Sequence, residues 1–563
     1  MTSRVRALTS GQIMRAALVV LLGFLASGIL GLVRTAAYTA YFGASHELDV
    51  FYGAQRIPEM LFTLIAGGAL GSAFIPVFAR YLNTDDAHAW RLASAVMSWS
   101  ALAASVLGLL LALTAPLYMP TLLGEVPAEF QVLAANLTQW MLITTVIFSF
   151  SGLTMGILNA HQQFLLPSIA ISMNNIGLII GAVVIAPLIP TDSGPFAYPA
   201  GGPYNIYGLA FGSILGAALH LAVQIPGLVR IRATIRPLFV TTVTGTGLVL
   251  RLMLPRMLGL AVTQLNFLVN VYFAGRMAEG SNSAINVAWF IMFFALGIIA
   301  QSVGTAVFPS LAKLASEGDH VAFGERLRSA MSGILFLAIP ASVGLIVLGE
   351  SVVALFLQRG QWMPAATAGT AWALAFFALG IAGHGLLEVL SRAFYALSDT
   401  RTPVLIGILS LVSNIVLSIV FIQLIDDPGA FTRTASARIA LSDSPIRLLE
   451  SISLARGPVA GLALANSLTT LLEAAALWLI LSRRIGSLND RVLLRRLAGS
   501  LIAAVGMGAA VYGLTTALEG ASNLVIVTIG GAFGAAIYFV FAAALGIPEA
   551  RAIPALARRV LRR

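Results

Sequence analysis

The chain has 563 residues, 58% of them hydrophobic and 10% charged, with a mean hydropathy of +0.92 and a net charge of +10. Average soluble domains carry about 25% charged residues, so this composition cannot coat the several domains a soluble chain of this length would need. A soluble enzyme, a disordered chain and a secreted disulfide scaffold are excluded, the last also because cysteine is absent; what remains is an all-α polytopic membrane protein.

At the N-terminus Arg4, Arg6 and Arg15 precede an apolar run over residues 13–42. No small-residue cleavage site follows a short apolar core, so the run reads as a retained first span and not a signal peptide. A helix needs about 20 mostly apolar residues to cross the hydrocarbon core. On that criterion fourteen transmembrane helices are expected. The first six cover residues 12–42, 56–81, 92–119, 131–158, 164–188 and 205–228. Six more cover 247–274, 284–312, 330–348, 366–395, 402–425 and 458–481, and two close the chain at 497–518 and 524–545.

Sorting the 33 basic residues by loop puts 25 on the side of the termini and 7 on the opposite side, with Arg34 inside the first span. Basic residues concentrate in cytoplasmic loops, so both termini are expected in the cytoplasm. The +10 is then a membrane-topology signal, and nucleic acid is not an expected partner.

The spans repeat with a period of roughly 230 residues. Tyr41-Phe42 recurs as Tyr272-Phe273, Phe74-Ile75-Pro76 as Val307-Phe308-Pro309, and Pro167 as Pro403. Six spans per copy give both copies one orientation. The expected architecture is two six-helix lobes around a central cavity, a common transporter plan, plus two extra C-terminal helices. The lobes are drawn at residues 1–231 and 232–484, with the extra helices and a basic cytoplasmic tail at 485–563. Two outer loops are long. Residues 190–204 are rich in Pro and Gly and should be irregular. Residues 426–457 carry Ile446, Leu448, Leu449, Ile452 and Leu454, a spacing that suits either a surface-lying amphipathic helix or an unstructured insertion.

Ionisable groups inside spans are costly and face a cavity or a partner. Arg34 has two readings: it snorkels to the nearby outer interface, or it sets a fixed positive charge on a cavity wall, which Gly28 and Gly31 favour by allowing close approach. His384, Glu388 and Arg392 lie at i, i+4 and i+8 on one helix face. They form either an ion-coupling site for H+ or Na+ or a structural ladder in which Arg392 reaches the interface and Glu388 satisfies it. Asn175, Gln264, Asn270 and Asn414 are amides at membrane depth, which serve as interhelical hydrogen-bond partners or line a polar cavity. There is no Walker A lysine loop, and the six histidines show no metal-ligand spacing. No catalytic residue, metal site or cofactor is expected, a coupling ion aside.

Several stretches, in order along most of the chain, resemble the MurJ (MviN) family. They are Gly31-Leu32-Val33-Arg34, Tyr41-Phe42-Gly43-Ala44, Asp49, Gly156-Ile157-Leu158-Asn159, Leu355-Phe356 with Arg359-Gly360, and Asp399-Thr400-Arg401-Thr402-Pro403. The resemblance implies a fourteen-helix member of the multidrug/oligosaccharidyl-lipid/polysaccharide exporter superfamily in the bacterial inner membrane. It implies flipping of lipid II, the undecaprenyl-diphosphate-linked peptidoglycan precursor, by alternating access. It also implies a lipid-tail groove on helices thirteen and fourteen, membrane lipids as partners, and room for cell-wall synthesis proteins beside them. Arg34 and Asp49 match the family's charged set, and Arg56 is placed with them as a substrate-binding residue. Gly28, Phe62 and Phe290 or a neighbour stand where the family carries arginine, and Thr35 stands where an acidic residue often follows. These departures leave a related lipid-linked oligosaccharide flippase, an ion-coupled multidrug antiporter and a non-transporting membrane scaffold as alternatives.

Overall fold

The computed structural model describes residues 10–67, 73–124, 126–198, 202–297, 299, 302–424, 458–486 and 490–550. All regular structure among them is helical. The chain divides into two compact units, residues 1–283 with 359–362, and residues 284–358 with 363–563.

The first unit opens with α1 (Ser10–Phe42), α2 (His46–Phe62) and α3 (Ile75–Thr84), with a π-helical turn at Thr63–Gly67 after α2. Ser45 starts α2 by accepting the Leu48 N–H, and Glu47 and Asp49 place negative charge on its first turn. Helix α4 (Asp86–Leu123) follows, capped by Asp85, which accepts from the His88 N–H. Then come α5 (Ala128–Met141), α6 (Ile143–Ala160), α7 (Leu165–Ile180), a π-helical stretch at Gly181–Ile185, the single turn α8 (Ala186–Leu188), α9 (Tyr207–Ala222), α10 (Ile225–Arg230) and α11 (Thr246–Ala274). The first residues of α12 (Ser281–Leu296) also belong here.

Helices α7 and α9 meet backbone to backbone. A Cβ added at Gly177 would lie 2.3 Å from Gly216 Cα, and one at Gly181 would lie 2.5 Å from Gly212 Cα. Glycines every fourth residue on both partners make that approach possible. The described parts of the expected loop, 190–198 and 202–204, have no helix or strand and are organised by one residue. Asn205 Nδ2 donates to the carbonyls of Pro190 (2.7 Å) and Phe196 (2.9 Å), and its Oδ1 accepts from the Tyr207 N–H. The turn at 359–362 docks on the end of α1: the Gln361 N–H donates to Ala40 O at 2.9 Å. Gly360 must be glycine there, because its φ is +57° and a Cβ would lie 2.2 Å from Ala40 O.

The second unit continues with α13 (Ser302–Glu317), α14 (His320–Leu357), α15 (Pro364–Leu379), α16 (Ile381–Ala396) and α17 (Arg401–Leu424). It ends with α18 (Pro458–Ile485), α19 (Asp490–Ala517) and α20 (Asn523–Ala544). Helix α14 packs against α15, α16, α19 and α20.

Local geometry recurs between the units. Helices α4 and α14 are both 38 residues long, and both start from an aspartate cap, Asp85 and Asp319. Gln162 and Ser398 both adopt left-handed backbone, with φ of 61° and 60°. The bonds around them match: Gln163 N to Leu158 O and Asp399 N to Phe394 O, each 2.9 Å.

Ten helices among the described residues are long and apolar enough to cross a membrane. The count is eleven if α15 and α16, bent by 43° at their junction, form one span. Of the other three expected spans, 56–81 and 284–312 take in residues outside the described ones, and 247–274 coincides with the continuous helix α11. The outer stretch 426–457, with its candidate amphipathic helix, lies outside the described residues, as do the first nine and last thirteen residues.

Candidate substrate site

In the first unit, half-buried Arg34 on α1 donates from Nη1 to Asn175 Oδ1 at 3.3 Å. Asn175, on α7, donates from Nδ2 to Ser27 O (3.2 Å) and Ser27 Oγ (3.1 Å), which fixes its carbonyl toward the guanidinium. One turn beyond Arg34, the Tyr38 ring centroid lies 5.9 Å from the guanidinium carbon. Tyr38 meets Phe51 edge-on and lies 6.5 Å from the Tyr52 ring. Tyr52 lies one turn before Arg56 on α2. Arg56 Nη1 pairs with Glu59 Oε2 at 3.0 Å, and its guanidinium stacks 4.8 Å from the Phe267 ring of α11. The Arg56 side chain is only 16% exposed.

Two guanidinium groups flanking a pair of tyrosines suit an anion. Guanidinium matches phosphate geometry in a bidentate way, and low surrounding polarity strengthens each contact. The structure thus brings Arg34, Arg56 and Asn175 to one neighbourhood on α1, α2 and α7. The tyrosines were not among the sequence candidates. Their signal was nonetheless legible: Tyr38 is four residues after Arg34 and Tyr52 four before Arg56, each on its arginine's helix face.

Asp49 faces elsewhere. Its Oδ1 accepts from the Ser283 N–H and hydroxyl, and its Oδ2 from the Gly280 N–H, each at 2.7 Å. Asn282 Nδ2 donates to the Asp49 carbonyl. The carboxylate therefore caps the start of α12. Asn270 on α11 is buried, with an Oδ1 that has no partner among the described residues, and Gln264 is half-buried on the same helix.

In the second unit, Arg392 pairs with Glu388 one turn away. His384 turns toward α18, with Nε2 3.2 Å from Asn466 Oδ1, and its ring meets Trp289 edge-on. No hydrogen bond joins His384 to Glu388 among the described residues. Asn414 on α17 is fully buried and donates to Thr469 Oγ1 at 3.4 Å. No group of three or more His, Asp or Glu able to hold a metal occurs among the described residues.

The same unit holds an apolar cavity of about 250 Å³ among α14, α19 and α20. Phe336, Pro340, Leu348, Met507 and Val511 line it, with Gly530, Gly531 and Gly534 opening its third side. Tyr538 closes one end, donating its hydroxyl to Phe336 O at 2.8 Å.

Many apolar spans, with a half-buried cationic cluster in the first unit and an apolar cavity in the second, define a multi-pass membrane protein of the transporter class. More particularly, the chain belongs to the MurJ family: the family model described as lipid II flippase MurJ matches residues 38–431. It is 30% identical to the lipid II flippase MurJ of Burkholderia cenocepacia over 422 residues, 73% of this chain and 79% of that one. It is 29% identical to the probable lipid II flippase MurJ of Thermotoga maritima, over 75% of this chain and 80% of that one. The fold matches a solved structure titled lipid II flippase MurJ, inward closed conformation, with a TM-score of 0.71 at 22% identity. That match covers 93% of this chain and 98% of the other. An inward-facing multidrug-resistance transporter of the MATE family matches with a TM-score of 0.61 at 15% identity, over 82% and 96%.

Proposed function

We propose that this protein is a bacterial inner-membrane flippase for lipid II that works by alternating access. The observation that carries the reading is membership of the MurJ family over residues 38–431. The site is consistent with it. A diphosphate needs converging cations, and Arg34 and Arg56 flank Tyr38 and Tyr52; a prenyl chain needs apolar room, which α14, α19 and α20 provide. Fourteen spans, lobes at 1–231 and 232–484 with 485–563 beyond them, and cytoplasmic termini belong to this reading. Their support is the recurring loop geometry and the 25 basic residues on one set of loops. In this reading Asp49 caps the start of α12 in place of acting as a substrate ligand. Ion coupling, by H+ or Na+, is given to His384, Glu388 and Arg392 on α16, with Arg392 paired to Glu388.

The experiment is rescue of a strain depleted of its own lipid II flippase. The wild-type chain should restore growth. Arg34→Ala should fail, because a lost charge-assisted contact costs about 1.5–3 kcal/mol of capture. Growth at the wild-type rate with Arg34→Ala present at normal membrane level would remove the role given to Arg34. Failure of the wild-type chain, with drug resistance in its place, would favour the antiporter.

A further inference from the structure

Between α10 and α11 the chain forms a strap held in register along α4. Residues 233–240 have no regular secondary structure, and their side chains alternate. Ile231, Ala233, Ile235 and Leu238 pack on the cluster built around Phe78, Trp90 and Leu92, while Arg232, Thr234 and Arg236 point outward. Two buried serines set the register. The Arg236 N–H donates to Ser94 Oγ at 3.1 Å, and the Leu238 N–H to Ser98 Oγ at 2.8 Å. Four helical residues rise about 6 Å, and two extended residues span about 6.6 Å, so serines one turn apart match alternate amides. Pro237, which has no N–H, sits between them where no donor toward α4 is needed. Farther along, His88 Nε2 lies 2.9 Å from Thr244 O.

That register decides what the strap presents. Arg230, Arg232 and Arg236 are exposed and make no side-chain hydrogen bond or ion pair with the described residues. Immediately after them Phe239 is 58% and Val240 37% exposed, and the Phe239 ring meets Trp99 edge-on. Helix α4, at 38 residues, is about 57 Å long against a hydrocarbon core of about 30 Å. Its first turns, which carry Asp86, His88 and Arg91, therefore project beyond the core. The level of Ser94 to Trp99 is then that of the interface, where aromatic rings settle.

We propose that residues 232–240 form an interfacial strap that binds anionic phospholipid headgroups. Arg232 and Arg236 take the phosphates, and Phe239 and Val240 enter the acyl boundary. Unpaired guanidinium groups on one edge, followed by bare apolar side chains, complement a negatively charged leaflet and match no other surface as well. An acidic protein would satisfy the arginines but leave Phe239 and Val240 in water.

The test uses the full chain in nanodiscs of phosphatidylcholine, with and without phosphatidylglycerol. Lipid retention is read by native mass spectrometry and strap protection by hydrogen exchange. The wild type should retain phosphatidylglycerol and show slower exchange over 232–240 when it is present. R232Q/R236Q should retain roughly 30-fold less, as expected for two basic groups at a charged surface. R232K/R236K should keep retention, which separates charge from misfolding. K313Q/R326Q, which removes two exposed charges from the helices α13 and α14, should leave retention unchanged. Equal losses in K313Q/R326Q and R232Q/R236Q would reduce the effect to general basicity and overturn the proposal. So would strap exchange that ignores phosphatidylglycerol, or strap protection that appears only with an added acidic protein.

Discussion

Two aspartates, Asp49 and Asp399, each spend a carboxylate on a helix start. Asp49 satisfies two N–H groups at the head of α12, donors that a helix cannot pair internally. Asp49→Ala should lower the unfolding midpoint by the equivalent of about 1–2 kcal/mol, while Asp49→Asn should recover part of it; thermal unfolding in detergent reads both. Asp399 lies in the turn before α17. Its slight burial would raise its pKa. The Thr402 N–H and hydroxyl and the Arg484 guanidinium outweigh that and hold it down to about 2. A folded pKa below the unfolded one gives stability that is complete above about 3.9 and lost as pH falls toward 2. Asp399→Asn should thus unfold earlier than wild type at pH 6, and the gap should close between pH 4 and 2; a gap constant with pH would count against this assignment. Arg276 shows how little charge alone reveals. It belongs to the few basic residues on the outer side by sequence, and the structure gives it to the carbonyls of Tyr272 and Thr121 at the ends of two helices.

At the scale of elements, the α7–α9 contact makes the sharpest demand on sequence. Gly177→Ala would put a methyl 2.3 Å from Gly216 backbone. Overpacking of this kind costs about 1–3 kcal/mol, so the variant should melt lower or accumulate less, whereas Gly333→Ala, whose added Cβ meets nothing, should not. This contact was legible as glycines at every fourth position. The long spans were equally legible, because about 20 apolar residues leave few other outcomes. Changes of helix type were not: the π-helical turns at Thr63–Gly67 and Gly181–Ile185 change the backbone without changing hydropathy. For that reason the expected span at 164–188 reads as uniform in sequence and turns π-helical at Gly181–Ile185 in the structure. The strap was invisible for a related reason. Serines at 94 and 98 look like ordinary helix residues until a chain segment 140 positions away supplies the amides.

For the whole molecule, the apolar cavity offers a separation between stability and transport. A Cβ added at Gly534 would lie 3.0 Å from Val511 Cγ2 and 3.6 Å from Met507 Cγ, and a leucine there would occupy part of the space beside α14. If a prenyl chain uses that space, Gly534→Leu should reduce rescue of a flippase-depleted strain several-fold while the membrane level of the protein holds. Unchanged rescue would detach the cavity from transport. The site itself was half legible. Arg34 stood out as a charge within a span, and its meeting with Asn175 follows from the packing of α1 on α7, which no local pattern encodes. Asp49 was read with the substrate ligands because a family resemblance pairs it with arginines in sequence, whereas its partners 231 to 234 residues away become neighbours only on folding.

That separation has a consequence for how the protein is made. Bacterial chains grow at about 5–20 residues per second, so Ser283, which follows Asp49 by 234 positions, arrives about 12–47 s later. Throughout that interval the Asp49 carboxylate is in or beside the bilayer without its final donors. The early helices must therefore stay loosely associated, or be shielded by the insertion machinery, until α12 begins to emerge. Nascent chains arrested before residue 280 should accordingly be degraded faster than chains arrested just after 296.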